Sequence, residues 1–412
     1  MRTRNGWLAL LLTTGVALAP TLVRGQDVPF ADPQIPLPLG HDRLEKGGLF
    51  TGMEFMFFKQ TNPIKHQVIA QRGILDFDGS ISADLNGIVV PIATGTPIIL
   101  PGDAAPGTFL GSGVTALDAE QTAGPSSYQP GFRLTTGWRF NDGRTIEFSW
   151  MTLTEAKFSA VATLVPPTLQ PGTLFTETFL FSPVVNFPND FAGPRFKVAL
   201  GNPLAAYGIW NGAAVETISF TQRYTQYDIG SRIPVFETDF CRCYGLVGVR
   251  HVSLWERFAW RTVAQNFAGV SGQDDVANYN NIVSNQMYGV DVGIGSEWYI
   301  GRGFSISLDG RAAGMVDIVH EIARYVRSDF AIGNKRAKRD YSVVPELEGQ
   351  VNVWWYPWEG VQVRIGYDFM NFFNTVSSPQ PVSFDYSALT PAYDKHTYRY
   401  IEGFNVGIGF IW

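Results

Sequence analysis

The sequence predicts an all-β chain, folded as an antiparallel up-and-down transmembrane β-barrel of about ten strands, with twelve as the upper count. Three observations predict it. Segments from residue 49 to the end alternate apolar and polar residues with period two. The connections between them alternate short and long, as periplasmic turns and outer loops do in such barrels. Aromatic residues make up 14% of the chain and gather where strands end, the level at which amphipathic rings meet lipid headgroups.

The N-terminus predicts export. Arg2 and Arg4 precede a short apolar run, Trp7 to Ala19, and Val23-Arg24-Gly25 supplies a small residue before Gln26. That pattern is a signal peptide over 1–25, followed by a periplasmic segment 26–46 and a barrel over 47–412. The apolar run is too short to span a bilayer as a helix, which takes ~20 residues. Removing 1–25 leaves 28 basic against 37 acidic residues, a balance that argues against a nucleic-acid partner.

The first strand is expected at Leu49 to Phe58. Phe132, Leu134, Thr136, Trp138 and Phe140 then alternate with Arg133, Thr135, Gly137 and Arg139. Asn141-Asp142-Gly143-Arg144 signals a tight turn, and Ile146, Phe148 and Trp150 return opposite Thr145, Glu147 and Ser149. Less regular strands follow near Ile218 to Ile229 and Tyr244 to Trp260. Tyr288 to Trp298 alternates against Gly289, Asp291, Gly293, Gly295 and Glu297. After Gly301-Arg302-Gly303, Phe304, Ile306 and Leu308 oppose Ser305, Ser307, Asp309 and Arg311. Leu347 to Trp355 and Val361 to Phe369 form the next pair. The last strand, Phe404 to Ile411, ends on Trp412, with Gly407 and Gly409 on the lumen side. Many segments reach ten residues, close to the ~9–11 of a tilted membrane strand.

The joints at 141–144, 300–303 and 356–360 are very short, and 233–242 is modest. Those at 60–127, 161–214, 262–285, 328–340 and 374–396 are long. With a periplasmic N-terminus, every short joint falls inside and every long one outside. Gln67 to Phe77, Gly87 to Leu100 and Thr173 to Val185 are candidates for extra hairpins.

A periplasmic aromatic girdle is expected from Trp138, Trp298, Trp355, Tyr356, Trp358 and Trp412, with Phe140, Tyr299 and Trp354 beside them. An outer girdle is expected from Phe57, Phe58, Trp255, Trp260, Tyr325, Phe372, Phe373, Tyr398 and Tyr400. The lumen is expected to take Arg133, Arg139, Glu147, Arg250, Glu256, Asp291, Glu297, Asp309, Arg311, Glu346, Glu348, Arg364, Asp368 and Glu402. Such charges either fill the interior as ion pairs or line a water path. Cys241 and Cys243 read as turn residues or a tight bridge, and no partner pair makes a zinc site.

The signal peptide, the Gly248-Val249-Arg250 strand, the hairpin Trp354 to Asp368 and the aromatic terminus resemble planctomycete outer-membrane β-barrel proteins, which are similar to the Legionella-type pore-forming outer-membrane proteins. The resemblance covers most of 45–412. It implies a cell outer-membrane location, a porin-like passive channel or a structural surface role, no cofactor, and a C-terminal strand that the barrel-assembly machinery reads. Outer-membrane lipid is the expected surround. The run Asn334 to Asp340 is expected in an outer loop, where Lys335, Arg336, Lys338 and Arg339 meet outer-leaflet phosphates.

Two other readings stand beside this one. An outer-membrane hydrolase would draw on Asp394 near His396 and the acidic pair Asp274-Asp275, although no Gly-x-Ser-x-Gly, P-loop or metal-helix motif appears. A secreted β-sandwich binding module shares the alternation, but not the strand length or the turn asymmetry.

Overall fold

Hydrocarbon offers no hydrogen-bonding partner, so a sheet that crosses it must close on itself. In the computed structural model it does. The described residues are 48–76, 88–90, 98–100, 107–124, 128–164, 179–187, 191, 195–197, 205–238, 240–265, 270–358 and 360–411. The expected signal peptide, the 26–46 segment and Trp412 lie outside them, as do the side chains of Trp358 and His396.

Ten strands form the ring: β1 Gly48–Gln60, β2 Gln129–Arg139, β3 Thr145–Leu153, β4 Ala213–Glu237, β5 Cys241–Ala264, β6 Val276–Gly301, β7 Phe304–Arg327, β8 Gly333–Trp358, β9 Val361–Gln380 and β10 Ala392–Ile411. Past Thr154 and Glu155, β3 is continued along β4 by Ala156–Thr163. Each strand pairs antiparallel with the next, and β10 pairs with β1 from Phe50↔Ile411 to Gln60↔Ile401, closing the ring. The expected extra segments add no strand to it. Ile88–Val90 and Ile98–Leu100 pair only with each other, and Leu180–Phe181 joins Val68–Arg72 beside β4.

The alternation sorts side chains as a barrel in lipid requires. Ile294 is 78% exposed on the outer face, and Met53, Val290, Val351 and Val406 are exposed on the same surface. The ring of Phe369 lies over Gly349 on this face, so an aromatic neighbour covers backbone that glycine leaves bare. At the short-turn end, Arg144 Nε donates to Asp142 Oδ2 at 2.5 Å. Hydrogen bonding from Arg144 holds that carboxyl below the ordinary aspartate range. Cys241 and Cys243 are free thiols at the start of β5, 3.9 Å apart.

β4 to β8 run 24 to 26 residues each, so they rise beyond the expected loop boundaries. The expected loop 328–340 is a tight turn on a long β7–β8 hairpin. The basic run 334–340 therefore lies on a strand rather than a loop tip.

The outer end is folded inward. β9 leaves β8 after Glu346↔Phe372. Asn374 takes φ of 64°, a left-handed conformation that asparagine tolerates better than most residues. The chain then crosses the lumen. Asn285 Nδ2 donates to Val376 O at 3.0 Å, and Val376 N donates to Asn285 Oδ1 at 3.1 Å. Asn281 Nδ2 holds Ser378 Oγ at 2.7 Å and Pro381 O at 3.0 Å. Gln67 exchanges two hydrogen bonds with the backbone of Val382. Val382 and Tyr386 of this segment join Ile69, Leu117, Leu180, Ile209 and Trp210 in one apolar cluster with Phe258, Trp260, Tyr279 and Tyr325 of the wall.

Replacing Ile294 by Arg on the lipid face is expected to cost about 2–4 kcal/mol of folding free energy. Denaturant titration of barrel refolding into lipid vesicles measures it, and an unchanged midpoint contradicts the assignment of faces.

Candidate functional site

The interior is layered. Next to the inward-folded outer segment lies an apolar ring in which Met56, Met151, Tyr224, Met287, Met315, Met370 and Phe372 all point inward. Below it the lumen is polar and opens at the short-turn end as a cavity of about 180 Å³.

Glycine and alternation place the charges there. On β10 a Cβ at Gly407 would stand 2.5 Å from Glu54 Cγ, so glycine makes room for an acid crossing from β1. Arg133 Nη1 meets Glu54 Oε2 at 3.1 Å, and its Nη2 meets Asp368 Oδ2 at 2.9 Å. Arg364 Nη1 holds the other Glu54 oxygen at 2.9 Å, and Asn405 donates to Asp368. Arg250 reaches three carboxylates, each at 2.6 Å: Asp228 through Nε, Glu346 through Nη1 and Glu348 through Nη2. Arg311 lies 3.3 Å from both Glu147 and Asp291. Nearer the mouth, Tyr244 donates to Asp309 at 2.5 Å, and Ser305 and Tyr356 donate to Glu297 at 2.5 and 2.9 Å. Higher up, Arg399 grips both oxygens of Glu256.

Thirteen of the fourteen expected lumen residues thus point inward. Glu402 does not. It shares the even-numbered face of Phe404, Val406 and Ile408, so alternation turns it outward. There it pairs with Lys59 and accepts from the hydroxyls of Tyr367 and Tyr400. Tyr356, expected in the lipid girdle, also departs from expectation. Trp355 beside it is 44% exposed, and alternation sends Tyr356 into the mouth, with Trp354 donating to Ser307 on the same side. Trp138 and Trp298 face outward. Of the expected outer girdle, Phe57, Phe373 and Tyr398 face outward, and Phe58, Trp260, Tyr325 and Phe372 are buried inside. Adjacent aromatics such as Phe57-Phe58 and Phe372-Phe373 cannot share a face of one strand.

Sequence reasoning passed over Glu54, Asp228, Arg232, Arg242 and Arg399. Glu54 was accessible to the same reading, since it alternates between Met53 and Phe55. Arg399 was accessible too, since it alternates between Tyr398 and Tyr400 of the expected outer girdle.

Among the described residues, His66, Asp118 and Glu120 form the group close enough to share a cation. Asp118 is already engaged there. It accepts from Glu120 N at 2.8 Å and Gln67 N at 3.2 Å, and sits 2.8 Å from His66 Nδ1, capping the turn Ala119–Thr122.

A closed antiparallel ring with a lipid-facing apolar belt and a charged interior defines an outer-membrane β-barrel of porin-like build. The Legionella pneumophila major outer membrane protein precursor family matches residues 108–388, and the chain belongs to that family. Its location is the outer membrane. No curated protein sequence matches it. Among solved structures it is similar to the outer membrane protease OmpT of Escherichia coli, at 8% identity over 89% of this chain and 97% of that one, with a TM-score of 0.40. It is also similar to the CymD monoaromatic hydrocarbon channel, at 9% identity over 89% and 88%, with a TM-score of 0.28. An anion-selective porin from Comamonas acidovorans matches at 10% identity over 89% and 99%, with a TM-score of 0.14. Likenesses this distant carry no argument about function.

Arg250→Met would remove the cation that Asp228, Glu346 and Glu348 share. Its expected cost is about 3–5 kcal/mol, the penalty of breaking a buried pair. Adding Glu346→Gln and Glu348→Gln should recover most of that loss in the same refolding titration. A mild single-variant effect would contradict the network.

Proposed function

We propose that this barrel is a non-enzymatic, porin-like conduit that is closed in the conformation described. Small polar solutes enter the vestibule from the periplasm and pass only when the segment 375–391 moves off the lumen. The observation that carries this reading is the kind of contact holding that segment. It is held by non-covalent contacts alone, without a disulfide among the described residues: hydrogen bonds from Asn281, Asn285 and Gln67, worth ~1 kcal/mol each in net terms, pairing of Thr375, Ser377 and Gln380 with β10, and burial of Val382, Tyr386 and Leu389. A filler that served only to strengthen the barrel would not need a polar vestibule on one side of it.

The lipid side supports a further part of the reading. Alternation puts Lys335 and Arg339 on the outer face of the β7–β8 hairpin, with Arg324 opposite Lys335. Arg336 instead donates to Ala388 O, and Lys338 pairs with Asp340. Of the four cations expected to meet outer-leaflet phosphates, Lys335 and Arg339 are therefore the ones suited to it. Basic residues on the part of β8 that has left β9 also discourage edge-to-edge pairing. We read β10, which closes the ring, as the strand the assembly machinery recognises, and the planctomycete resemblance as the narrower kinship.

Planar-bilayer recording tests the conduit. The wild type is expected to conduct in rare, brief steps, and the double variant Asn281→Ala, Asn285→Ala to raise the open fraction at least several-fold. Silence from both proteins would leave a structural role.

A further inference from the structure

We propose that the periplasmic mouth of the barrel is a binding site for a small oxyanion, a carboxylate or phosphate group, held by Arg139 together with Arg232 and Arg242. The proposal rests on the conduit reading only for which side of the membrane the mouth faces.

The case begins with charge matching. Each arginine deeper in the lumen has a carboxylate within 3.3 Å. The mouth differs. Arg139, at the end of β2, lines the cavity, yet among the described residues no carboxylate or hydrogen-bond acceptor engages it. Arg232 projects from β4 into the same space, and its nearest carboxylate oxygen, on Glu147, is 3.9 Å away. Its guanidinium lies instead over the ring of Tyr244, 4.4 Å from the centroid. Arg242 is paired, but with the half-exposed Glu237 at the end of β4, at 2.7 Å. Glu297 and Asp309, the acids on this stretch of wall, already accept from Ser305 and Tyr356 and from Tyr244 respectively.

Three guanidiniums thus converge where low-dielectric walls focus their field. A charge drawn part-way out of water and left unpaired is unfavourable, and like charges placed together compound that cost. An anion removes both penalties. Planar guanidinium forks match carboxylate and phosphate oxygens in a bidentate way, which selects oxyanions over chloride. The cavity of about 180 Å³ holds far more than one water, which needs ~10–15 Å³ by the same measure, so a small oxyanion fits. Access is from the periplasm, because the apolar layers shut the other end.

The test uses the full mature chain in detergent. Inorganic phosphate and acetate are titrated separately by calorimetry, with ionic strength held constant by chloride. Saturable heat with either probe is expected, and the arm that saturates identifies the oxyanion. Arg139→Gln should weaken binding at least tenfold, and Lys335→Gln on the outer surface should leave it unchanged. No saturable heat from either probe overturns the site, as does binding that survives Arg139→Gln undiminished. Should Arg139→Gln fail to fold, Arg139→Lys and the wild-type thermal midpoint in phosphate against chloride decide the matter: no oxyanion-specific rise overturns it. Binding is read without conductance, so a silent barrel that still binds phosphate would sink the conduit reading and leave the site standing.

Discussion

Backbone closure is the constraint on which the rest of this structure depends. Every amide that crosses hydrocarbon must find its partner within the sheet, and only a ring supplies one to both edges. Short β1, β2 and β3, of 13, 11 and 9 residues, stand between β10 and β4, of 20 and 25, and the ring still closes because β10 meets β1 over eleven residue pairs. Closure fixes the register, and register fixes which side chains look inward. A ring of ten strands then leaves an interior narrow enough for side chains from opposite walls to touch. That is why Arg133 of β2 reaches Asp368 of β9, and Arg250 of β5 reaches Glu346 and Glu348 of β8.

Those cross-barrel pairs brace the wall near the periplasm, and the inward-folded segment braces it near the outside. The two halves use different physics. In the lower half, charges desolvated together compensate one another, and the arrangement tolerates little loss of a partner. In the upper half, Trp210 packs tilted or edge-on against Trp260, Tyr325 and Tyr386, with ring centroids 4.9 to 5.4 Å apart, and apolar burial does much of the holding. The lower half therefore has far more room for water than the upper, with a cavity of about 180 Å³ against one of about 10 Å³. The functional asymmetry of the barrel follows from that division.

Much of this was legible in the sequence, because period-two alternation reports faces directly. The hairpin around Asn141-Asp142-Gly143-Arg144, the inward charges of β6 to β9 and the parity of turns and loops follow from it. Glu402 was misassigned where the same rule, applied strictly, sends it outward with Phe404. Tyr356 was misassigned because aromatic character near a strand end was weighed above position. The inward fold of β9 left little trace, since Asn374, Pro379 and Pro381 look like any loop. Its cause is tertiary: Asn281 and Asn285 on the facing wall offer amides to a backbone that has left its neighbour. The pairing of Arg250 with three acids was equally invisible, because partners on different strands meet only once the ring has closed.

The division of the lumen is tested most directly by thiol accessibility. With Cys241 and Cys243 replaced by serine, single cysteines are placed at Ser149, which lines the vestibule, and at Ser378, buried within the inward-folded segment against Asn281. A membrane-impermeant maleimide is then applied to intact cells and to cells with a permeabilised outer membrane. Ser149→Cys should label only when the reagent reaches the periplasm, and Ser378→Cys should resist labelling from both sides. Rapid labelling of Ser149→Cys in intact cells would mean the lumen is open from end to end, and the layered interior would be wrong.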